Sequence, residues 1–294
     1  MRCSELAEQL GEPMTATAGA ATAWLALEEP GPWGARAPGD SRLDPALTAE
    51  LERRAGAAGI TLLLIRAEGA AQRPGRRCLL AGGADPAERF LELVELEESH
   101  EVLELDFEAV GRGEPTGAGR LCTERHYLTC TNGKRDLCCA ARGRPVARAL
   151  ADHLGPRAWQ CTHLGSHRFA ANLLVLPDGL LFGRLDPASA LRVVDDLERD
   201  ELALEHLRGR CGVSPAAQAA EALLRVRLSL RGVDEVRVTV GDPPVLEHAG
   251  RRYATTVVAH KLPARPVSCA GDKLDGPTEW RLVEIDSTEE LQHA

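Results

Sequence analysis

The sequence predicts a mixed α/β fold, and three observations carry that reading. Short runs of β-branched and leucine-rich residues alternate with amphipathic stretches. Asp-Pro pairs open several of those stretches. The same order of pieces recurs twice before a C-terminal segment of a different character. The chain has 294 residues, of which 44% are hydrophobic. That length and composition suffice for two buried cores or one large one.

Thr22–Leu27 reads as a strand, followed by the Pro- and Gly-rich loop EEPGPWGARAPGDSR, which excludes regular structure. Asp44–Ala58 reads as a helix, with Asp44 as N-cap and Pro45 at the first helical position. Thr61–Arg66 and Arg77–Ala81 read as buried strands, and Asp85–Leu96 as a second helix. The order then repeats. His126–Thr131 is expected as a strand and Cys139–Leu154 as a helix, with Pro145 marking a kink or its true start. Ala158–Cys161 is expected as a strand. Asn172–Leu176 and Gly179–Gly183 read as a hairpin across Pro177-Asp178-Gly179. A helix starts at Asp186-Pro187 and runs to Leu197. The stretches GGADPAERFLELVEL and GRLDPASALRVVDDL resemble each other in position and pattern. Two tandem β-α-β-β-α units follow, each in the thioredoxin-like order.

After Asp200 a helical stretch is expected to about Arg210, then an amphipathic helix over Pro215–Arg227. Glu235–Val240, Val245–His248 and Arg252–His260 read as a meander with a turn at Ala249-Gly250, and Trp280–Ile285 as one more strand. The boundaries fall at residues 1–115 for the first unit, 116–210 for the second, and 211–294 for the helix-and-strand extension.

The net charge of −9 argues against a general nucleic-acid binder, which needs a basic surface to displace counterions, and against a polybasic membrane anchor. The opening MRCSELAEQLGEP has neither a basic nor an apolar signal region. No apolar run approaches the ~20 residues of a membrane span. A cytoplasmic location is expected. Nine cysteines without a secretion signal favour metal or redox use over a disulfide framework. Cys3, Cys78, Cys122, Cys211 and Cys269 are scattered, and the plainer reading of each is a small buried apolar residue.

The informative cysteines are Cys130 and Cys139, in CTNGKRDLCCAARGRP, followed by His163-x-x-x-His167 in CTHLGSHRFAANLL. Two thiolates and two imidazoles make a complete four-ligand set for a transition metal. The nine-position separation of the cysteines is wider than the tight knuckle of a zinc finger. A wide loop ending at a helix N-terminus suits a larger object such as an iron–sulfur cluster, and the helix amides would favour thiolate and sulfide. The two-Cys, two-His count is that of a Rieske centre.

At these residues the chain resembles the sucrase/ferredoxin-like family, which has fungal and many actinobacterial members. The resemblance covers Cys130 to Leu185 and extends to the opening motifs Arg2-Cys3-Ser4 and Pro30-Gly31-Pro32-Trp33-Gly34. Where thioredoxin-like ferredoxins carry a later C-x3-C pair, this sequence has His163-x3-His167. The resemblance implies a [2Fe-2S] cluster held by Cys130, Cys139, His163 and His167 in a thioredoxin-like ferredoxin domain. The family spacing favours Cys139 over its neighbour Cys138, which is then a packed or supporting thiol.

Cys161 is expected to pack inward, and His126 and His153 to be structural or exposed. Lys134, Arg135 and Arg168 either support an anionic centre and an acidic partner or are ordinary solvated cations. No dinucleotide or phosphate-binding glycine motif is present. No carboxylate pair is placed for glycoside hydrolysis, and aromatics make up only 3% of the chain, too few for a sugar-stacking platform. The expected function is one-electron, proton-coupled transfer or redox sensing with an unidentified redox protein as partner, rather than enzyme catalysis. A zinc-stabilised interaction module and a thiol oxidoreductase are the alternatives. The second is weakened because the vicinal Cys138-Cys139 replaces a C-x-x-C pair.

Overall fold

The computed structural model describes residues 2–69, 75–83, 85–239, 241, 243–269 and 273–288. It is a mixed α/β structure built on one ten-stranded sheet. In chain order the elements are α1 (Cys3–Gln9), β1 (Trp24–Glu28), α2 (Pro45–Ala57), β2 (Thr61–Arg66), β3 (Arg76–Gly82), β4 (Phe90–Leu96), α3 (Phe107–Arg112) and β5 (Arg120–Leu121). They continue with β6 (His126–Cys130), α4 (Leu137–Leu154), β7 (Ala158–Cys161), β8 (Leu173–Leu176), β9 (Leu180–Phe182), α5 (Pro187–Leu197) and β10 (Leu207–Arg210). The sheet order is β10-β9-β8-β6-β7-β2-β1-β3-β4-β5.

The tandem repeat is visible in the pairing. In the first unit β1 pairs parallel with β2 and antiparallel with β3, and β3 pairs antiparallel with β4. In the second, β6 pairs parallel with β7 and antiparallel with β8, which pairs antiparallel with β9. The two sets meet edge to edge where β2 and β7 pair antiparallel through Ile65–Cys161 and Arg66–Gln160. The strands at the middle of the second set are buried along their whole length, with side chains of α4 and α5 packed on one face and Trp24, Leu63 and Leu79 of the first set on the other.

Helix starts follow the sequence signals. Asp44 accepts from the amides of Ala46 and Leu47, and Asp186 forms a reciprocal cap with Ser189. Helix α4 begins two residues earlier than the spacing suggests, at Leu137, capped by Asp136, and continues through Pro145.

Two expectations are corrected. Asp85–Leu96 is not a helix: a short turn leads into strand β4, whose Phe90–Leu96 pairs along all of β3. The run FLELVEL alternates as well as it spirals, and the open edge of β3 decides between the two. The first unit closes instead with the short α3. Asp85-Pro86 is therefore not the counterpart of Asp186-Pro187, since it follows β3 whereas Asp186 follows β9. Likewise residues 201–210 hold no helix: a turn at 204–206 leads into Leu207–Arg210, which forms β10 on the edge of β9.

Beyond the large sheet lie α6 (Pro215–Leu228), β11 (Arg237–Thr239), β12 (Val245–His248), β13 (Arg251–Lys261), β14 (Arg265–Pro266), β15 (Leu274–Asp275) and β16 (Thr278–Thr288). The meander β11-β12-β13-β16 turns at Ala249-Gly250 as the sequence suggests. Of the expected Glu235–Val240 strand, Val240 lies outside the described residues. No helix among the described residues is long and apolar enough to cross a membrane.

Candidate metal centre

Cys130 is the last residue of β6 and Cys139 lies in the first turn of α4. Both are buried. Their approach depends on Gly143, one turn further along α4. A Cβ at that position would lie 2.1 Å from the Cys130 carbonyl oxygen, so only glycine lets the helix pack this closely on the strand.

His163 follows Thr162, whose position is set by the seam between the units. The Leu64 amide donates to Thr162 Oγ1 at 3.0 Å, and the Thr162 amide donates to the Leu64 carbonyl at 2.9 Å. The first unit, which carries none of Cys130, Cys139, His163 and His167, thus fixes the root of a ligand in the second. Gly165 and Ser166 both have positive φ, +80° and +48°, and turn the chain between the two histidines. Their rings come to lie with centroids 5.1 Å apart.

The donor atoms of Cys130, Cys139 and His163 lie within 4.8 Å of one another, with Cys139 Sγ 3.9 Å from His163 Nδ1. His167 stands outside this compact trio, beside His163. It lies in a short 3-10 turn (His167–Phe169) and is largely buried, yet neither ring nitrogen has a hydrogen-bond partner among the described residues. Its Nε2 is 3.6 Å from Asp136 Oδ2. Burial holds His167 below the ordinary imidazole range, against the opposing pull of Asp136, so the ring is neutral and able to ligate.

The two thiols are coupled. Cys130 is held well below the ordinary thiol range, chiefly by a hydrogen bond from the Cys139 thiol, against burial. Cys139 is held well above it, chiefly by the same hydrogen bond. The opposed directions mark two interacting thiols, and a bound cation would hold both as thiolates. Cys161, beside Cys130 in the parallel register, packs inward and is pushed well above the ordinary range by burial. All four residues expected from the sequence are thus brought together, three in one cluster and His167 at its edge.

The start of α4 settles which of the adjacent cysteines faces this centre. Successive helical residues point ~100° apart. Cys139 therefore faces Cys130 and His163, whereas Cys138 faces Cys3 and Cys269. Cys3 and Cys269 are not isolated apolar residues: with Cys138 and Asp136 they form a second group of donor atoms within 4.8 Å of one another. Three segments 130 or more positions apart supply them, a meeting that no local spacing signals.

Arg208, on β10, also went unread in the sequence. It is wholly buried, and burial pushes its guanidinium down only to about 10, so it stays charged. It donates to Asn172 Oδ1 at 2.9 Å, to the Thr17 carbonyl at 2.7 Å and to Thr17 Oγ1 at 3.0 Å. Asn172 Nδ2 in turn donates to the Ser166 carbonyl at 3.3 Å, inside the histidine loop. Arg168 turns toward the buried Glu12, with Nε 2.7 Å from Oε1, while Lys134 and Arg135 are exposed. His126 is structural, its Nδ1 accepting from the Trp159 indole at 3.1 Å.

Compared with known proteins, the chain matches none of the curated proteins and none of the solved structures. Residues 17–209 match the sucrase/ferredoxin-like family, a span that includes β1 to β9, all but the last residue of β10, and all four of Cys130, Cys139, His163 and His167. With that span covering well over half of its length, the chain belongs to the sucrase/ferredoxin-like family.

Proposed function

We propose that this chain is an iron–sulfur protein of one-electron transfer or redox sensing, holding a [2Fe-2S] cluster through Cys130, Cys139, His163 and His167. The observation that carries the reading is the meeting of two buried thiols with two adjacent imidazoles. Cys130, Cys139 and His163 lie together, and His167 stands beside His163 with two ring nitrogens that find no hydrogen-bond partner among the described residues. A single tetrahedral ion asks for four donors around one point. A pair of thiols beside a pair of imidazoles suits two irons, one for each pair. When bound, the cluster supplies one-electron chemistry at a potential raised by the two neutral ligands.

The chain's own residues give the site a direction. The cysteines are buried, whereas His163 to Ser166 are partly exposed, so the His163 side of the site is the one nearer solvent. A redox protein would dock there, with the exposed Lys134 and Arg135 favouring an acidic partner. Imidazole ligands able to take up a proton on reduction make the potential fall as pH rises.

Replacing His163 or His167 by Cys, followed by redox titration at several pH values, tests this reading. Each variant is expected to keep a cluster while lowering the potential and flattening its pH dependence. An unchanged potential in both variants would refute ligation by the histidines.

A further inference from the structure

We propose that Cys3, Cys138 and Cys269, together with Asp136, form a second metal site that takes one zinc(II) ion. The site is separate from the centre described above and does not depend on what that centre holds.

The three sulfurs form a closed triangle, with Cys3–Cys138 at 3.4 Å, Cys138–Cys269 at 3.2 Å and Cys3–Cys269 at 3.6 Å. The centre of such a triangle is ~2 Å from each sulfur. An ion at the usual Zn–S length of about 2.3 Å would therefore sit ~1 Å above the sulfur plane, as at the centre of a tetrahedron whose fourth vertex is left for one more donor. Asp136 supplies the fourth donor, its carboxylate lying within 4.8 Å of every sulfur. Its oxygens accept from the Cys138 and Cys269 amides at 2.8 and 3.0 Å, which fixes the carboxylate and leaves lone pairs free.

A plain apolar core does not account for this group. The Asp136 carboxylate and the three sulfurs converge on one small space, where a cation would take up the carboxylate lone pairs that the two amides leave free. A [2Fe-2S] cluster spreads its protein ligands over two irons, two on each, whereas three thiols in mutual contact surround one point. Thiolate-rich donor sets select zinc or copper(I), and the carboxylate favours zinc. Binding would release the thiol protons to solvent, leaving three thiolates and one carboxylate on a divalent ion, with no change of oxidation state.

The ligands tie distant parts of the chain together. Cys3 opens α1, which packs on the turn carrying His167. Cys138 lies beside Cys139 in α4, and Cys269 belongs to the C-terminal extension. Cys3 and Cys269 both lie outside the span matched to the family. Asp136 faces both centres, being 3.6 Å from His167.

The test is elemental analysis of the full chain purified anaerobically, compared with the C3S/C269S double variant and with C130S. About one zinc per chain is expected in the wild type and in C130S, falling to about zero in C3S/C269S. Cobalt(II) added to metal-free C130S should give thiolate-to-cobalt charge transfer and the intense visible bands of a tetrahedral ion. In the wild type, Cys3, Cys138 and Cys269 should resist alkylation until a chelator removes the zinc, a readout that does not require the double variant to fold. A wild-type protein without zinc, a disulfide within the trio, or a cobalt spectrum lacking thiolate charge transfer would overturn the site. Loss of iron from C130S with zinc retained separates this inference from the [2Fe-2S] reading.

Discussion

Replacing Gly143 by Ala should loosen the junction of α4 with β6 and open the metal centre. In an exposed helix the substitution stabilises by about 1 kcal/mol. Here the new methyl carbon would lie 2.1 Å from the Cys130 carbonyl oxygen and 3.2 Å from its carbon. Both are backbone atoms and cannot rotate aside. The helix must retreat by ~1 Å to restore van der Waals contact, and overpacking of that kind costs about 1–3 kcal/mol. Cys139 rides on the retreating turn, so its sulfur moves away from Cys130. Gly56 in α2 is the matched control: it is exposed and a Cβ there meets nothing within 4 Å. Urea denaturation of both variants, with cobalt or iron loading of the folded protein, reads both effects. Gly143→Ala is expected to lose stability and at least tenfold in metal affinity, while Gly56→Ala gains stability and binds as the wild type. Equal stability and equal loading in the two variants would refute the contact.

Two further outcomes follow from buried polar groups. Burial holds His126 down to about 4 from an ordinary 6.5, and its Nδ1 must stay unprotonated to accept from Trp159. Between those values the unfolded chain binds a proton that the folded chain refuses, so stability falls as pH falls, by about 3 kcal/mol from about pH 7 to about pH 4. His126→Gln keeps an acceptor without the titration and should flatten the acid limb by that amount in denaturation measured across pH; an unchanged slope would remove His126 as the cause. Arg208→Met strips the charged partner from Asn172 and Thr17, which should cost about 3 kcal/mol or more and loosen the histidine loop. A loss under about 1 kcal/mol would show that those groups find other partners.

The second unit was legible because each of its elements carries a local signal. Its strands are short and continuously apolar, Asp186-Pro187 marks a helix start, and Pro177-Asp178-Gly179 marks a hairpin. The first unit was legible up to Asp85, where a run that fits either period was decided by the pairing edge of β3. Residues 207–210 became a strand for the same reason, by adding to β9. Cys130, Cys139, His163 and His167 could be read together because they share two nearby loops. The trio of Cys3, Cys138 and Cys269 could not, since only the complete chain path brings an N-terminal helix, α4 and the C-terminal extension to one point. Arg208 was hidden for a related reason: a buried arginine is recognised by its partners, and Asn172 and Thr17 are remote from it in sequence.

The most direct measurement is EPR of the dithionite-reduced protein, combined with iron and acid-labile sulfide analysis. A [2Fe-2S] centre on Cys130, Cys139, His163 and His167 predicts two irons and two sulfides per chain and a rhombic half-integer-spin signal with two nitrogen couplings, one of which is lost when either histidine is replaced. A colourless protein with zinc at the first centre, or an iron–sulfur signal without nitrogen coupling, would contradict it.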